Sequence, residues 1–593
     1  VMTGGASQAA PHGPTMNIQV LSFNDFHGNL EPPSGSSGRV VTDHALSTTP
    51  EGVTSAVNVT TDAGGVEYLA THLREARKGN RNTVTVAAGD IVGASPLLSA
   101  AFHDEPTIEA MNKLGLEATA VGNHEFDEGY KELQRLQNGG CLDDGDGLNN
   151  QNSCAAGTFT GANFHILAAN VKDADTNKTI LPPYWVKTFE GGAKVGFIGM
   201  TLKETPSIVT QSGIAGLDFT DEVATANALV PALRAQGVKA IVVLVHQGGT
   251  PAAQQWKARG KTYNVTSTYD YTCGGGGTLA SDSAILPIAA NLDPQIDMVI
   301  SGHTHQPYIC NVPDPKGQQR LVTSASSFGR LFTETNLRFD MRTQDIVRAS
   351  VKGTNMIVTR DVAKAADETS LINTYKTLIA PIANKVLGTI TADITRVQSP
   401  AGESALGDLI ADAQVNDPSV VVGEVKPVVA FMNPGGIRAD LTFAKTDPPE
   451  ATNGIVRYEE AFTVQPFNNY LVSMDVTGAD IWSLLQQQWS GKNSGTATKF
   501  LQVSNGLHYT WTGVTPDQAV TAVTINGVPV AKDSTASYRI VTNNFLSDGG
   551  DNFAAFTNGT GKYFGGLDID GFAKYLPTVQ PYSPAALDRI AKQ

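Results

Sequence analysis

The stretch Gly122-Asn123-His124-Glu125-Phe126-Asp127 directly follows the short run Ala118 to Val121. An apolar or β-branched run that ends in polar residues is typical of a buried strand. Four more runs share this organisation: Ile18 to Phe23 before Asp25-Phe26-His27, Val84 to Ala88 before Gly89-Asp90, Ile241 to Val245 before His246, and Met298 to Ile300 before Gly302-His303-Thr304-His305. Because ligands of α/β folds bind at the carboxyl ends of the strands, the pattern predicts an α/β fold that brings these five clusters together.

The five clusters contain side chains of the types that bind metal ions. Seven of them are candidate ligands: Asp25, His27, Asp90, Asn123, His246, His303 and His305. If Asp90 bridges two ions, each ion has four protein ligands and keeps open positions for water and substrate, as catalytic sites do. Two such ions can activate water and hold the oxygens of an in-line phosphoryl displacement. Nitrogen and oxygen ligands without thiolate suit zinc or manganese, and also iron or cobalt.

Histidine is scarce in this chain, which makes its placement informative. Only 11 histidines occur in 593 residues, and five of them lie in the clusters: His27, His124, His246, His303 and His305. A single Asp-x-His or His-x-His pair is more often a surface pair or a hydrogen-bonded core group than a metal site. The conjunction of five clusters favours a dinuclear metal centre.

These motifs resemble those of the calcineurin-like metallophosphoesterases. Three later motifs narrow the resemblance to the two-domain family of 5′-nucleotidases, UDP-sugar hydrolases and 2′,3′-cyclic nucleotide phosphodiesterases: Asn433-Pro434-Gly435-Gly436-Ile437-Arg438, Pro466-Phe467-Asn468-Asn469, and Asn544-Phe545-Leu546-Ser547-Asp548-Gly549-Gly550-Asp551. The resemblance covers nearly the whole chain. It implies an N-terminal four-layer αββα metallophosphoesterase domain and a C-terminal mixed α/β domain that binds the substrate.

The resemblance also implies a role for each residue of the metal centre. It assigns Asp25, His27, Asp90 and His305 to the first ion, and Asp90, Asn123, His246 and His303 to the second. His124 is expected to contact the phosphate and stabilise charge at the leaving oxygen. Asp127 is expected to orient the imidazole of His124, because a carboxylate three residues away can hold the ring and favour the imidazolium. A helix cap is the alternative role for Asp127.

The resemblance also implies that seven residues of the second half of the chain bind the substrate: Asn433, Gly435, Gly436, Arg438, Phe467, Phe545 and Asp551. The two phenylalanines are expected to stack on the faces of a nucleobase. Asn433 is expected to contact the base, Asp551 to contact the ribose and Arg438 to bind the phosphate. The two glycines are expected to let the backbone approach the ligand closely. Without the resemblance, core packing is the simpler role for each phenylalanine.

One departure from the family pattern bears on the substrate. Several nucleotidases carry an arginine just before the first helix of the second domain, where this chain reads Ser399-Pro400-Ala401-Gly402-Glu403. Arg438 remains, and Arg330 of the first domain is a further candidate, with a structural salt bridge as its alternative role. The preferred ester stays open between a 5′-monophosphate, a 2′,3′-cyclic phosphate and a pyrophosphate such as NAD or a UDP-sugar.

The expected activity is that of a secreted dinuclear-metal phosphohydrolase, a 5′-nucleotidase that releases nucleoside and phosphate by attack of metal-activated hydroxide. Hydrolysis of cyclic nucleotides or of nucleotide pyrophosphates at the same site is the first alternative. A sulfur-ester hydrolase of the thiosulfate type and a non-catalytic nucleotide-binding surface protein are alternatives of other classes. The two phenylalanines and the Gly-Gly-Ile-Arg stretch favour nucleotides over the sulfur ester.

Composition is consistent with a large soluble enzyme. The chain has 42 basic and 57 acidic residues, a net charge of −15, 59 glycines and 30 prolines. A negative field repels nucleic acid, so a polynucleotide partner is not expected and any attraction of phosphate must be local. No stretch approaches 18 uninterrupted apolar residues, so no transmembrane segment is expected. A small nucleotide is the expected partner, and the oligomeric state stays open.

Length indicates two domains. We expect a metallophosphoesterase domain at residues 16–354, a linker at 355–385 and a nucleotide-binding domain at 386–593. Helical spacing predicts one helix over Gly65 to Lys78 and another over Thr369 to Leu387. Val1 to Thr15 resembles a mature terminus left after signal removal and is expected to be a disordered arm.

Four cysteines occur in two sequence-local pairs, Cys141 with Cys154 and Cys273 with Cys310. Four cysteines allow three pairings, and we favour the local ones because none of the four lies in a metal motif. Disulfides suit a secreted, periplasmic or cell-surface protein; four free thiols are the alternative. Between the first two cysteines, the stretch Asp143-Asp144-Gly145-Asp146-Gly147 hints at calcium but lacks the remaining EF-hand ligands, so a solvated acidic turn is favoured.

Overall fold

The computed structural model describes residues 14–49, 52–144, 148–274, 277–445, 452–513 and 519–593. In the first domain the strands are β1 Thr15–Phe23, β2 Arg39–Thr48, β3 Thr54–Asp62, β4 Thr83–Ala87, β5 Ala118–Ala120, β6 His165–Leu167, β7 Val171–Asp173, β8 Tyr184–Thr188, β9 Lys194–Thr201, β10 Leu217–Phe219, β11 Ala240–His246, β12 Gln254–Ala258, β13 Lys261–Val265, β14 Met298–Ser301, β15 Pro307–Pro313, β16 Gln319–Ala325, β17 Leu331–Asp340, β18 Asp345–Ile346 and β19 Lys352–Ile357.

The second domain contains β20 Val386–Thr389, β21 Val429–Met432, β22 Ile455–Arg457, β23 Tyr470–Thr477, β24 Gln502–Val503, β25 Leu507–Thr512, β26 Ala519–Ile525, β27 Val528–Pro529, β28 Ser537–Asn543, β29 Thr560–Leu567 and β30 Ile590–Lys592. The α-helices of the described chain are α1 Val66–Arg77, α2 Leu97–Ala100, α3 Glu105–Leu114, α4 Tyr130–Asn138, α5 Glu222–Ala235, α6 Ile285–Asn291, α7 Ala366–Ala383, α8 Ala405–Val415, α9 Tyr458–Val464, α10 Gly478–Gln487, α11 Asn544–Ser547 and α12 Asp568–Val579. None of these helices is both long and apolar enough to cross a membrane.

Two mixed sheets form the centre of the first domain. The first has the strand order β18-β17-β1-β4-β5-β6, with β19 pairing to β17, and the second has the order β15-β16-β14-β11-β9-β8. Strands β1, β4, β5 and β6 are parallel in the first sheet, as are β9, β11, β14 and β16 in the second. The carboxyl ends of the parallel strands therefore share one edge of each sheet.

The two sheets pack face to face, and helices cover their outer faces. Along β1, Val20 lies in the core between the sheets and Leu21 in the core shared with α1 and α3. Along β11, Val242 faces the other sheet and Val243 faces α5 and α6. Strands buried on both faces read as continuous apolar runs, which explains the sequence pattern. The order helix, sheet, sheet, helix confirms the predicted αββα arrangement.

Helix α7 joins the domains and packs against α1 and α3 of the first domain and α9 of the second. The predicted helix from Thr369 to Leu387 is wrong at its end, because the chain leaves α7 after Ala383 and enters β20 at Val386. The backbone N–H of Asn384 caps the carbonyls of Ala380 and Ile382 at that point.

The second domain is mixed α/β, as predicted. Its main sheet has the order β24-β21-β28-β23-β29, and a second sheet has the order β27-β26-β25-β30. Helix α8 packs on β21 and on α12. The motif Asn433 to Arg438 follows the carboxyl end of β21, and Phe545 lies in α11 after β28. The adjacent pairing of β21 with β28 therefore brings these two motifs together.

Two predicted boundaries differ from the observed elements. Strand β1 begins at Thr15, so that residue of the expected arm is in a sheet; residues 1–13 lie outside the described residues. Strand β19 pairs with β17 up to Ile357, so the first domain extends into the expected linker.

Both local cysteine pairs are disulfide bonds, Cys141 with Cys154 and Cys273 with Cys310. Residues 145–147 of the acidic stretch Asp143 to Gly147 lie outside the described residues. The expectation that this stretch is a solvated turn and not a calcium site therefore stays a prediction. The Asp144 carboxylate lies 3.6 Å from Nε2 of His103.

Candidate active site

The carboxyl ends of β1, β4, β5, β11 and β14 bring the predicted metal ligands together. Ligand atoms within 4.8 Å of one another form three groups here: Asp25 with His27 and His305, Asp90 with His246 and His303, and His27 with Asp90 and His124. Oδ2 of Asp90 is 2.9 Å from Nε2 of His246 and 3.5 Å from Nε2 of His27. A carboxylate in this position can serve two cations, which supports a bridging role for Asp90. The division of ligands between individual ions stays a prediction.

Contacts behind the ligands orient them. Nδ1 of His27 is 2.8 Å from the carbonyl oxygen of Gly93, and Nδ1 of His246 is 2.7 Å from that of Ala88. A carbonyl can only accept, so Nδ1 carries the proton and Nε2 of both rings is directed to the ligand cluster. The Oδ1 atom of Asn123 is buried and has no hydrogen-bond partner in the described chain. These oxygen and nitrogen donors fit a pair of divalent metal ions.

The four histidines among the predicted metal ligands differ in pKa because their surroundings differ. Burial lowers the pKa of His27 and His305, and lowers that of His303 to about 3. These rings are therefore neutral, as metal binding requires. Burial also opposes the charge on His246, but Asp90 and Asp25 outweigh it and raise its pKa to about 10. At His246 a cation would replace a proton.

The backbone of the ligand loops is strained. Five predicted ligands have positive φ angles between 49° and 73°: Asp25, His27, Asp90, His303 and His305. The left-handed conformation costs a residue with a side chain about 1–2 kcal/mol. Such strain is concentrated at functional sites, where the surrounding structure holds it in place.

His124 lies beside the ligand cluster and has its own carboxylate. Nδ1 of His124 is 2.8 Å from Oδ2 of Asp127, and its backbone N–H donates to Oδ1 of Asp90 at 2.9 Å. Burial disfavours the imidazolium, but the charges of Asp127 and Asp90 outweigh burial and raise the pKa of His124. The Asp127 side chain contacts the imidazole, which supports orientation over capping.

Two residues that the sequence reasoning did not single out hold the ligand loops. The buried carboxylate of Glu125 accepts hydrogen bonds from the backbone N–H groups of Asp90, Ile91 and Gly122. The Asn24 side chain donates to Oδ2 of Asp25 at 2.6 Å. Glu125 lies inside the quoted stretch Gly122 to Asp127 and Asn24 directly precedes Asp25, which was the available signal, although spacing alone does not reveal their contacts.

A further group of possible ligands lies away from this centre. His103, Glu128 and Glu132 have ligand atoms within 4.8 Å of one another. Arg135 already pairs with Glu132, and Nδ1 of His103 contacts Glu128. The cluster is therefore compensated by a guanidinium and an imidazole, and we assign it a structural role.

The second domain reaches the ligand cluster through Arg438 and Phe467. Nη2 of Arg438 is 3.4 Å from Nε2 of His27. The Phe467 ring is 5.7 Å from the imidazole of His124 and 5.9 Å from the guanidinium of Arg438. Two of the predicted substrate residues therefore adjoin the predicted metal centre.

Two more predicted substrate residues, Asn433 and Asp551, form a polar group in the second domain. Asn433 donates to Oδ2 of Asp551 at 3.0 Å, and Lys499, which the sequence reasoning missed, donates to Oδ1 at 2.6 Å. Gly435 is exposed, whereas a Cβ at Gly436 would lie 2.6 Å from Cε of Met432. A side chain at Gly436 would therefore require the terminal methyl of Met432 to move.

Arg330 has contacts of a different kind from those expected. Its guanidinium donates to the carbonyl of Arg39 and to the hydroxyls of Ser326 and Ser327. It also lies 5.3 Å from the ring of Phe328. No carboxylate pairs with it in the described chain, so the alternative of a salt bridge is wrong.

Comparison with known proteins gives the family. The calcineurin-like phosphoesterase model matches residues 18–307, and that of the 5′-nucleotidase C-terminal domain matches residues 386–558. The chain is similar to the cell wall protein Lmo0130 of Listeria monocytogenes, with 35% identity over 93% of this chain and 66% of the relative. It is also similar to the endonuclease YhcR of Bacillus subtilis, with 30% identity over 89% of this chain and 37% of the relative.

The fold is also that of a solved structure, a 5′-nucleotidase precursor from Thermus thermophilus, with a TM-score of 0.71 and 24% identity. That match covers 97% of this chain and 99% of the other. The chain belongs to the calcineurin-like phosphoesterases, which are metal-dependent phosphoester hydrolases, in the two-domain form with a 5′-nucleotidase C-terminal domain. It spans 66% and 37% of the lengths of the two bacterial relatives.

Proposed function

We propose that this chain hydrolyses nucleotides as a 5′-nucleotidase, releasing nucleoside and phosphate. The observation that carries the proposal is the approach of the second domain to the metal-ligand cluster. A guanidinium suited to phosphate lies 3.4 Å from the predicted ligand His27, and an aromatic ring suited to a base lies 5.7 Å from His124. A nucleotide carries a phosphate that a guanidinium can bind and a base on which an aromatic ring can stack.

Two divalent ions, held by the seven predicted ligands, would supply Lewis-acid activation of water and phosphate. The chain's own residues would do the rest. Arg438 would bind a phosphate oxygen, and Phe467 would restrain the nucleoside, so that the phosphorus is positioned for in-line attack. His124, whose pKa is raised by the charges of Asp127 and Asp90, would donate a hydrogen bond in its imidazolium form to the phosphate or to the leaving oxygen.

Export from the cytoplasm forms part of the proposal. The two disulfides support an oxidising compartment. The relative named as a cell wall protein is also consistent with a secreted or surface location. Zinc or manganese is the proposed metal, since the donors are nitrogen and oxygen.

The proposal is tested with purified protein, supplied with manganese or zinc or treated with a chelator. The substrates are AMP, 2′,3′-cyclic AMP, NAD, UDP-glucose and an aryl phosphate. We expect chelator-sensitive release of adenosine and phosphate from AMP. Faster turnover of the cyclic or pyrophosphate substrates would assign the site to those esters instead. Turnover of no substrate, with both metals bound, would reject the proposal in favour of a sulfur-ester or binding function.

A further inference from the structure

A buried carboxylate lies behind the metal-ligand loops, at the start of helix α3. Asp104 directly precedes the first residue of that helix and is 7% exposed. An aspartate at this position usually caps its own helix by accepting a backbone N–H from the first turn. The Asp104 side chain makes no such hydrogen bond. Its carboxylate is instead directed to groups outside the helix.

The two oxygens of this carboxylate have different partners. Oδ1 accepts a hydrogen bond from the Ser99 hydroxyl at 2.6 Å, and Oδ2 accepts one from the backbone N–H of Gly93 at 3.1 Å. Burial raises the pKa of Asp104 to about 6. At pH 8 the group is therefore ionised and can only accept hydrogen bonds. Ser99 of α2 holds one oxygen in place, and the other oxygen holds Gly93.

Gly93 connects this carboxylate to the predicted metal centre. Its carbonyl oxygen lies 2.8 Å from Nδ1 of His27, and this contact directs Nε2 of the ring to the ligand cluster. A Cβ on Gly93 would lie 2.7 Å from Cβ of His124. Gly93 therefore packs against the residue proposed to act on the substrate, and any shift of its carbonyl would turn the His27 ring.

The carboxylate also lies close to the loop that contains His27. A Cβ on Gly28, the next residue, would lie 3.2 Å from Oδ1 of Asp104. The backbone N–H of Gly28 donates to the carbonyl of Ile91 at 3.0 Å, which joins this loop to the one that contains Asp90. Asp104 therefore adjoins both loops, one after β1 and the other after β4.

We infer that Asp104 is a positioning residue of the metal centre, which acts through Gly93 to hold the His27 imidazole in the orientation that binds metal. The inference rests on the metal centre of the proposed function, and not on a nucleotide as the substrate. Groups behind a metal ligand change metal affinity or activity by roughly 10- to 100-fold, because they fix the orientation of the ligand. Asp104 does this at one remove, through the main chain.

The test is the affinity of the metal-stripped full chain for zinc, measured at pH 8 by competition with a chromogenic chelator. Asp104→Ala leaves the N–H of Gly93 without its acceptor and should weaken the binding of one of the two zinc ions by roughly 10- to 100-fold. Asp104→Asn keeps the volume and a neutral acceptor. Its loss should be smaller but measurable, because a charged acceptor forms the stronger hydrogen bond.

Asp297→Ala is the matched control. Asp297 is also a buried aspartate that accepts a backbone N–H, that of Ile241 at 3.0 Å. It directly precedes β14 and so lies at the amino end of that strand, opposite the ligand cluster. Asp297→Ala should lower the temperature of thermal unfolding and keep the zinc affinity of wild type.

Turnover at saturating zinc gives a second measurement. Asp104→Ala should lower kcat for AMP and leave its KM nearly unchanged, because Arg438 and Phe467 belong to the second domain. Wild-type zinc affinity in Asp104→Ala would overturn the inference, as would an equal loss in Asp297→Ala. If a thermal melt shows that Asp104→Ala does not fold, wild-type affinity in Asp104→Asn would overturn it. No hydrolysis of AMP by wild type would reject the nucleotidase function alone, since zinc affinity is measured without a nucleotide.

Discussion

Asp90 is the residue on which the proposed metal centre depends most, since its carboxylate lies between His27 and His246. Asp90→Asn keeps the size of the side chain and removes the charge that two cations would share. We expect bound metal to fall from two ions per chain to one or none, with hydrolysis of AMP reduced by at least about a hundredfold. Metal content is measured by plasma mass spectrometry. Asp218→Asn, at an exposed position of β10, is the control, and full metal content in Asp90→Asn would contradict the bridging assignment.

His124 tests a separate role at the same scale. Because its imidazole pairs with Asp127 and is proposed to act on the substrate, His124→Ala should keep both metal ions. Turnover should fall by about 10²–10⁴, the usual contribution of a positioned acid or base. His165→Ala, which changes an exposed histidine of β6, should retain activity. Loss of metal from His124→Ala would make the residue a ligand.

What the sequence could predict at this scale follows from strand ends. Residues such as Asp25 and His246 were found because each follows an apolar run, and a strand end fixes where the next side chains lie. The left-handed backbone of His303 and the hydrogen bonds of Glu125 could not be predicted, because they depend on loops brought together from distant parts of the chain. Lys499 was missed for the same reason, since its partner Asp551 is 52 residues away.

At the scale of the element, helix α7 contains a buried acid whose carboxylate forms no hydrogen bond in the described chain. The side chain of Glu368 is fully buried, and neither carboxylate oxygen has a hydrogen-bond partner in the described chain. Burial, with a smaller effect of Asp367, raises its pKa from 4.5 to about 8. A raised pKa contributes stability below pH 4.5, and that contribution is lost as the pH rises to about 8.

Glu368→Gln should remove this loss. The free energy of unfolding of the variant, relative to that of wild type, should increase by roughly 1.4 kcal/mol for each pH unit between the two pKa values. Chemical denaturation at pH 5, 6.5 and 8 measures it. The control Glu75→Gln changes an exposed acid of α1 and should give no such trend. A difference that does not vary with pH would show that Glu368 is ionised when folded.

Element ends were harder to predict than elements. Helical spacing located α1 to within a residue, because Val66, Leu69 and Leu73 must all face the core. The end of α7 could not be read in the same way, since apolar residues continue past it into β20. There the change from helix to strand depends on pairing of β20 with β22, about 70 residues further along the chain.

At the scale of the whole molecule, polar contacts join the two domains in addition to the apolar packing of α7. Ser36 donates to Asp440 at 2.7 Å, Arg396 donates to Ser37 at 2.9 Å, and Thr496 donates to Asp282 at 2.9 Å. No motif indicates these pairs. Two domains and a set of ligands can be predicted from the sequence, whereas the contact between Arg438 and His27 is seen only in the folded chain.

The nucleotide site is therefore a property of the whole molecule, and Phe467 tests it. Its ring belongs to the second domain and lies against His124 of the first. Stacking on a base is worth about 1–3 kcal/mol, so Phe467→Ala should lower kcat/KM for AMP by roughly 5- to 150-fold. An aryl phosphate, which has no nucleobase, should lose much less. The control is Phe564→Ala, which changes a phenylalanine of the same domain that is 59% exposed. It should leave kcat/KM unchanged for both AMP and the aryl phosphate. Equal losses for AMP and the aryl phosphate in Phe467→Ala would show that the ring supports His124 and not the base.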